Sequence, residues 1–440
     1  MSELEAKKVI LGRFEDLEAN PEALPEGVDP DEYFVATYYV SFPASINMHQ
    51  IGQVFAIEQS TGTWVPVPEE KPEMRRRHVA KLIGVYEVPD YEIMLPEGVK
   101  WRSYIIQIAF PFENVGPRLS MLFTTIVGNI SLAGKIKLLD IRFPKKYVEG
   151  FKGPKFGIEG VRRLLGVRDR PLLNNMIKPC TGFPPEVGAK LAYEAARGGT
   201  DIIKDDELLA NPDFNKVEDR IVKYMEAIDK ANEETGEKTL YAINITGDIP
   251  EVFENAERVI ELGANCIMVN YLATGFPVLR ALAEDPSIKV PILGHMDVAG
   301  ALCGSPHVGI RSDLIMAKLP RLAGADILVY PAPYGKAPFM EEKFVAIAKA
   351  ARYPFYHIKP VFPMPSGGIT PAHVPKLVAT LGRDIVIGAG GAIHAHPDGP
   401  AAGARAFRQA IDAVMKGYTD LKKYAEETGA KELLRALEAW

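Results

Sequence analysis

Beyond about residue 152 the chain alternates short apolar runs with amphipathic stretches of ten to twenty residues. The runs are Leu172–Lys178, Asp201–Lys204, Thr239–Ile245, Cys266–Tyr271, Val290–Gly294, Asp326–Tyr330, Ile358–Met364 and Asp384–Ile387, eight in all, spaced by roughly 25 to 40 residues. Runs this short and this apolar predict strands buried on both faces of a parallel sheet. Each precedes a helical pattern, such as Glu186–Gly198 or Asn255–Gly263. Eight strand–helix units predict a closed (β/α)8 barrel over 153–440 rather than an open doubly wound sheet. No Gly-rich dinucleotide fingerprint follows any of these strands.

Residues 1–152 lack that rhythm and predict a mixed α+β domain. The stretch to about Asn20 is charged with a helical pattern, and Pro21 to Pro30 reads as an irregular connector. Tyr33–Phe42, Trp101–Phe112 and Ile136–Phe143 are β-branched and aromatic, hence strands. Gln50–Ile57, Arg77–Ile83 and Leu119–Ile126 fit either helix or strand.

Composition narrows the class. Lys and Arg number 51 against 57 Asp and Glu, a formal charge of −6, which argues against a protein that coats nucleic acid. The cluster Arg75-Arg76-Arg77-His78 reads as a solvated or interface face. Three scattered cysteines make neither a disulfide framework nor a zinc site, and predict a reducing, cytoplasmic setting. The first residues lack a signal-peptide layout, and no apolar run reaches the ~18 residues of a membrane span.

Barrel chemistry sits at the carboxyl ends of the strands, and polar residues gather there. They are Lys178, Lys204-Asp205-Asp206-Glu207, Asn244, Asn270, His295, Asp297, Ser366-Gly367-Gly368 and Gly388-Ala389-Gly390-Gly391. Residues two apart on a strand share a face, so Lys204 and Asp206 point the same way and Glu207 follows in the loop. Two carboxylates suit Mg²⁺, whereas an ammonium helps only as an ion pair or as an anionic CO₂ adduct. The same acidic run also fits the first turn of a surface helix. The glycines after strands seven and eight let backbone approach a phosphate, or simply make tight turns. Lys178, partly desolvated, is a candidate proton-transfer group with a lowered pKa. Lys336 lies in a Pro-Tyr-Gly-Lys loop and could reach over a bound phosphate. His295 fits a core hydrogen-bonder, a ligand or a base.

The run Gly198-Gly199-Thr200-Asp201-Ile202-Ile203-Lys204-Asp205-Asp206-Glu207 closely resembles the active-site signature of ribulose-bisphosphate carboxylase (RuBisCO) large chains. Glu58-Gln59-Ser60-Thr61-Gly62-Thr63-Trp64, Thr125-Ile126-Val127-Gly128-Asn129, Ile177-Lys178-Pro179 and Ser366-Gly367-Gly368-Ile369 resemble further family segments in the same order. The resemblance implies a ferredoxin-like α+β domain before the barrel. It makes Lys204 a carbamylated lysine, with CO₂ as activator, and Asp206 and Glu207 its co-ligands for Mg²⁺. Lys178 matches the enolising lysine, His295 a histidine near the metal, and Lys336 the mobile-loop lysine. Thr63, Trp64, Ser366, Gly367, Gly368 and the glycines Gly388, Gly390 and Gly391 match a phosphate pocket. A homodimer, or an assembly of dimers, is implied, with Glu58, Thr63, Trp64 and Asn129 reaching the partner's barrel.

The departures point away from carboxylation. Cys180 replaces a lysine, Met296 an arginine, and Val329 falls near an expected histidine; the last two bind the second phosphate in true carboxylases. A charged hydrogen bond contributes roughly 1.5–3 kcal/mol, so losing both weakens bisphosphate binding by orders of magnitude. The expectation is a form IV, RuBisCO-like, Mg²⁺-dependent enolising enzyme on a singly phosphorylated ketose or keto sugar acid. Such an enzyme would be an isomerase, tautomerase or decarboxylase, of the methylthioribulose 1-phosphate or 3-oxo-isoapionate 4-phosphate type. Asn129, where methionine-salvage enolases of the family carry a lysine, favours an isomerase or decarboxylase using Lys178. The alternatives are a true carboxylase and a non-catalytic binding paralogue.

Overall fold

The computed structural model describes residues 16–62 and 67–440. Two compact units emerge: 1–151 with 299–315, and 152–298 with 316–440. Ala299–Ile315, inside the stretch assigned above to the barrel, therefore clusters with the first unit. The helical reading of the amino-terminal segment lies mostly outside the described residues, as do Thr63 and Trp64.

The first unit is built on β1 (Tyr33–Pro43), β2 (Lys81–Glu87), β3 (Trp101–Pro111) and β4 (Lys135–Arg142). Strand β1 alternates buried Phe34, Ala36, Tyr38 and Val40 with half-buried neighbours, the period-two signature of a sheet with one packed face. It pairs antiparallel with β3 and β4, and β2 pairs antiparallel with β3. The short strand Gly309–Ile310 extends the sheet parallel to β4.

The ambiguous runs resolve by packing. Met48–Glu58 and Leu119–Ile126 are helices, whereas the third run divides into the helix Pro72–His78 and the start of β2. That helix corrects the solvated reading at Arg75, while Arg76 and Arg77 stay exposed. Its turn directs Arg75 inward, where Nη1 meets Glu70 at 2.9 Å and Nε donates to the Ala19 carbonyl at 3.1 Å. Arg76 and Arg77 pair with Asp16 and Glu113.

The second unit carries β5 (Leu172–Met176), β6 (Ile202–Lys204), β7 (Leu240–Asn244), β8 (Cys266–Asn270) and β9 (Ile292–His295). With Gly309–Ile310 counted as β10, it continues through β11 (Ile327–Pro331), β12 (Phe362–Ser366) and β13 (Val386–Ala389). All eight pair in parallel in the order β12-β11-β9-β8-β7-β6-β5-β13. Strands β12 and β13 pack side by side, since a Cβ on Gly388 would lie 2.7 Å from Ser366 Cβ. The barrel expected from the apolar runs is the barrel found, with an antiparallel sheet in the first unit. Strand seven starts at Phe362 rather than Ile358, because Ile358 is buried in a loop whose carbonyl accepts from Arg321. Among the described residues no helix is long and apolar enough to cross a membrane.

Candidate active site

One parity rule places the site. Leu172, Ile202, Leu240, Cys266, Leu293, Ile327, Phe362 and Val386 share the barrel core. Counting on by twos along each strand brings Met176, Lys204, Asn244, Asn270, His295, Pro331, Ser366 and Gly388 to the carboxyl ends on the same inner face. Packing below thus fixes which polar groups converge above.

Strand β6 ends at Lys204, and the next two residues keep alternating. Lys204 is fully buried; its Nζ donates to the Asp205 carbonyl at 2.7 Å and meets Glu207 Oε2 at 3.3 Å. Asp206 turns toward Lys178, whose Nζ lies 2.5 Å from Oδ2. Asp205 points the other way, into a buried cluster with Arg220 and Tyr241. Asn244 and Asn270 hold backbone: Asn244 Nδ2 donates to the Asp206 and Glu207 carbonyls at 3.3 and 3.2 Å, and Asn270 Nδ2 to the Glu207 carbonyl at 3.1 Å. Asn270 Oδ1 is buried without a partner.

Electrostatics follow from these contacts. Burial disfavours an ionised Glu207, but the Lys204 ammonium and His295 overcome it and hold its carboxyl at about 2. His295 Nε2 is 3.3 Å from Glu207 Oε2, and Nδ1 is 3.7 Å from Asp297 Oδ1. Burial, with Lys204 beside it, pushes His295 down to about 3, so the imidazole is neutral. Asp297 is raised, by burial first and then by the Glu207 charge. Lys178 departs from expectation. Burial lowers its pKa, but Asp206 and the Cys180 thiol, with Sγ at 3.0 Å, outweigh burial and raise it.

The loops after strands six and seven meet. Lys336 N–H donates to the Gly367 carbonyl at 2.9 Å, and Ala332 N–H to the Ser366 carbonyl at 2.9 Å. Gly367 and Gly368 take φ of 95° and 84°, a region that favours glycine. The Lys336 side chain is exposed. Gly390 lies against Lys178, its absent Cβ 3.2 Å from Lys178 Cε, and Gly391 opens to solvent. In the first unit, Asn129 Nδ2 donates to Glu58 Oε1 at 3.3 Å, and its N–H donates to Gln59 Oε1 at 3.2 Å.

The residues that sequence reasoning passed over are supporting ones. Asp205 stood inside the acidic run but out of phase with its neighbours, a signal available in the alternation. Arg220, Tyr241, Asn175 and His394 carried no local signal.

A parallel barrel with lysines, carboxylates and a histidine converging at its carboxyl rim defines an enzyme-type (β/α)8 protein. Comparison with known proteins specifies it. Residues 157–440 match the ribulose bisphosphate carboxylase large chain catalytic domain, and 26–147 match the N-terminal domain of that chain. The chain belongs to the ribulose bisphosphate carboxylase large-chain family. It is 73% identical over 426 residues to a ribulose bisphosphate carboxylase-like protein of Archaeoglobus fulgidus, covering 97% of this chain and 98% of that one. A 2,3-diketo-5-methylthiopentyl-1-phosphate enolase of Geobacillus kaustophilus is 37% identical over 413 residues, covering 92% and 97%. The solved RuBisCO-like protein of Alicyclobacillus acidocaldarius superposes with a TM-score of 0.84 at 37% identity, covering 93% of this chain and all of that one.

Proposed function

We propose that this chain is an Mg²⁺-dependent enolising enzyme acting on a singly phosphorylated ketose or keto sugar acid, as isomerase, tautomerase or decarboxylase. The observation that carries this reading is the paired constellation at the rim: Lys178 on Asp206, and Lys204 with His295 on Glu207.

The donor chemistry fits a hard cation on one condition. Among the described residues no three His, Cys, Asp or Glu side chains are placed to hold a metal. Asp206 and Glu207 supply two oxygens sets, and Lys204 becomes a third donor only as its CO₂ carbamate. That conversion also removes the ammonium now paired with Glu207. A divalent cation held by these three would supply Lewis-acid polarisation of a substrate carbonyl. A cation held by Asp206 would neutralise much of the charge that Asp206 now offers Lys178 through Oδ2. With that counter-charge reduced, burial would favour the neutral Lys178 amine, the form that accepts a carbon-bound proton.

One phosphate is the capacity supported by the remaining groups. Ser366, Gly367 and Gly368, with the Lys336 loop on them, make one backbone-lined station, against which Gly388 packs, while Gly390 lies along Lys178. At the second-phosphate positions Val329 is buried in the barrel core and Met296 offers no donor. The Geobacillus relative's named substrate is likewise a monophosphate. Glu58 and Asn129 suit a homodimer in which a second copy completes the site.

The test is exchange of substrate carbon-bound protons with solvent across a panel of ketose and keto-acid monophosphates. Exchange should require Mg²⁺ and CO₂ and vanish in Lys204→Ala. Formation of 3-phosphoglycerate from ribulose 1,5-bisphosphate and labelled CO₂ would overturn the monophosphate reading. Absence of any exchange would overturn the enolising one.

A further inference from the structure

Strands β5 and β13 close on each other where Lys178 emerges, with Ala389 in register with Asn175. The chain then turns at Gly390, whose carbonyl accepts from the N–H groups of Ile393 at 3.0 Å and His394 at 3.2 Å. The turn brings the His394 ring back to the strand that carries Lys178. Its Nε2 lies 3.1 Å from Asn175 Nδ2 and 3.2 Å from Oδ1, so either amide orientation makes a bond. Nδ1 is shut off from solvent without a well-formed partner. The aliphatic stem of Lys178 runs along Gly390, where a Cβ would sit 3.2 Å from Lys178 Cε and 3.4 Å from Met176 Cβ.

We propose that His394, clasped to Asn175, is a positioning residue for Lys178: it fixes the glycine wall along which that side chain reaches Asp206. The role rests on the enolising reading for its purpose but not for its physics. A flexible lysine stem has many rotamers, and a wall without side chains selects among them only if the wall is fixed. The clasp joins the first and last strands of the barrel by side chains at the height of the Gly390 turn. An uncharged ring also adds no repulsion to the ammonium beside it, and burial, with Lys178 close by, keeps His394 neutral by holding its pKa at about 4.

The experiment reads Lys178 in the full-length protein without substrate. Competitive acetylation with acetic anhydride at one fixed pH, followed by mass spectrometry, gives the amine's accessibility, with exposed Lys336 as internal reference. In His394→Leu, losing the hydrogen bond should raise Lys178 labelling about fivefold relative to Lys336. His394→Gln keeps an amide able to reach Asn175 and should match the unsubstituted protein. If His394→Leu does not fold, His394→Asn, too short for the clasp, reads the same quantity. Unchanged labelling in a folded Leu or Asn variant overturns the proposal, as does an equal change in His394→Gln. Missing proton exchange in the unsubstituted enzyme would sink the enolising reading while leaving the labelling result intact.

Discussion

Asp205 Oδ2 lies 3.1 Å from Arg220 Nε, and neither side chain reaches solvent. Around that pair, Tyr241 Oη donates to Asp205 Oδ1 at 2.7 Å and Asn244 N–H donates to Oδ2 at 2.9 Å. Arg220 is further bonded to Asn215 and to the Ala210 carbonyl. The residue between Lys204 and Asp206 is therefore anchored outward, so its two neighbours must face the barrel mouth. Breaking one side of a buried pair leaves an uncompensated charge and costs about 3–5 kcal/mol. Asp205→Ala should lower the unfolding free energy by that amount and weaken the proposed Mg²⁺-dependent proton exchange further. Urea unfolding checks the first; a variant as stable as the parent would refute the anchoring role.

Gly335 makes the tightest backbone approach at the rim. A Cβ there would lie 1.6 Å from the Gly367 carbonyl oxygen and 2.7 Å from its carbon. Backbone cannot yield as a side chain does, so Gly335→Ala must separate the loop carrying Lys336 from Ser366–Gly368. Such overpacking costs about 1–3 kcal/mol where it is confined to one contact. The expected signature is weaker binding of inorganic phosphate at the proposed station, read by calorimetry, together with a modest drop in thermal stability. Unchanged phosphate affinity would detach this loop contact from the anion station.

Much of this architecture was legible because barrel strands bury both faces and so write continuous apolar runs. The limits are equally physical. Leu119–Ile126 mixes apolar residues with Ser120, Thr124 and Thr125, a pattern that suits a helix and a strand alike until its surroundings decide. Ile358 is apolar because a loop, not a strand, buries it. Arg75 looked as solvated as Arg76 and Arg77 because charge alone does not reveal helical phase, and phase is what turns Arg75 toward Glu70. The raised pKa of Lys178 depends on Asp206, 28 residues away in sequence, whose approach no local pattern encodes. Alternation put Lys204 and Asp206 on one face, and both come within electrostatic reach of His295. The same alternation, followed one step further, would have singled out Asp205.

Asp326 couples stability to pH. It is fully buried, and its carboxyl accepts from the N–H groups of Phe156 and Gly157 at 2.8 Å and of Ile292 at 2.9 Å. Burial outweighs those donors and pushes the pKa from 3.8 up to about 6. A carboxyl raised on folding binds more protons in the native state between those values, so this group's contribution grows as pH falls through about 6 and is lost above it. Asp326→Asn removes the titration along with one acceptor. Its destabilisation relative to the parent should thus be larger near pH 4.5 than near pH 7.5. Chemical denaturation of both proteins at the two pH values decides it, and a gap that widens with pH would show the sign to be wrong.

Val329 tests whether the second phosphate site can be rebuilt. It faces Met364 in register across β11 and β12 and packs in the barrel core, fully buried. A histidine placed there would enter an apolar cluster, and two residues on, the inner position is Pro331, which offers no N–H donor either. An unpaired polar group in such surroundings costs about 1–3 kcal/mol by mutational measure. Val329→His, alone or with Met296→Arg, should therefore lower thermal stability without creating tight binding of ribulose 1,5-bisphosphate. The monophosphate reading thus draws on packing as well as on missing charge, because Val329 is fully buried within the apolar barrel core. Titration of the double variant with the bisphosphate would decide it, and affinity rising by orders of magnitude would mean that the distal pocket had stayed open.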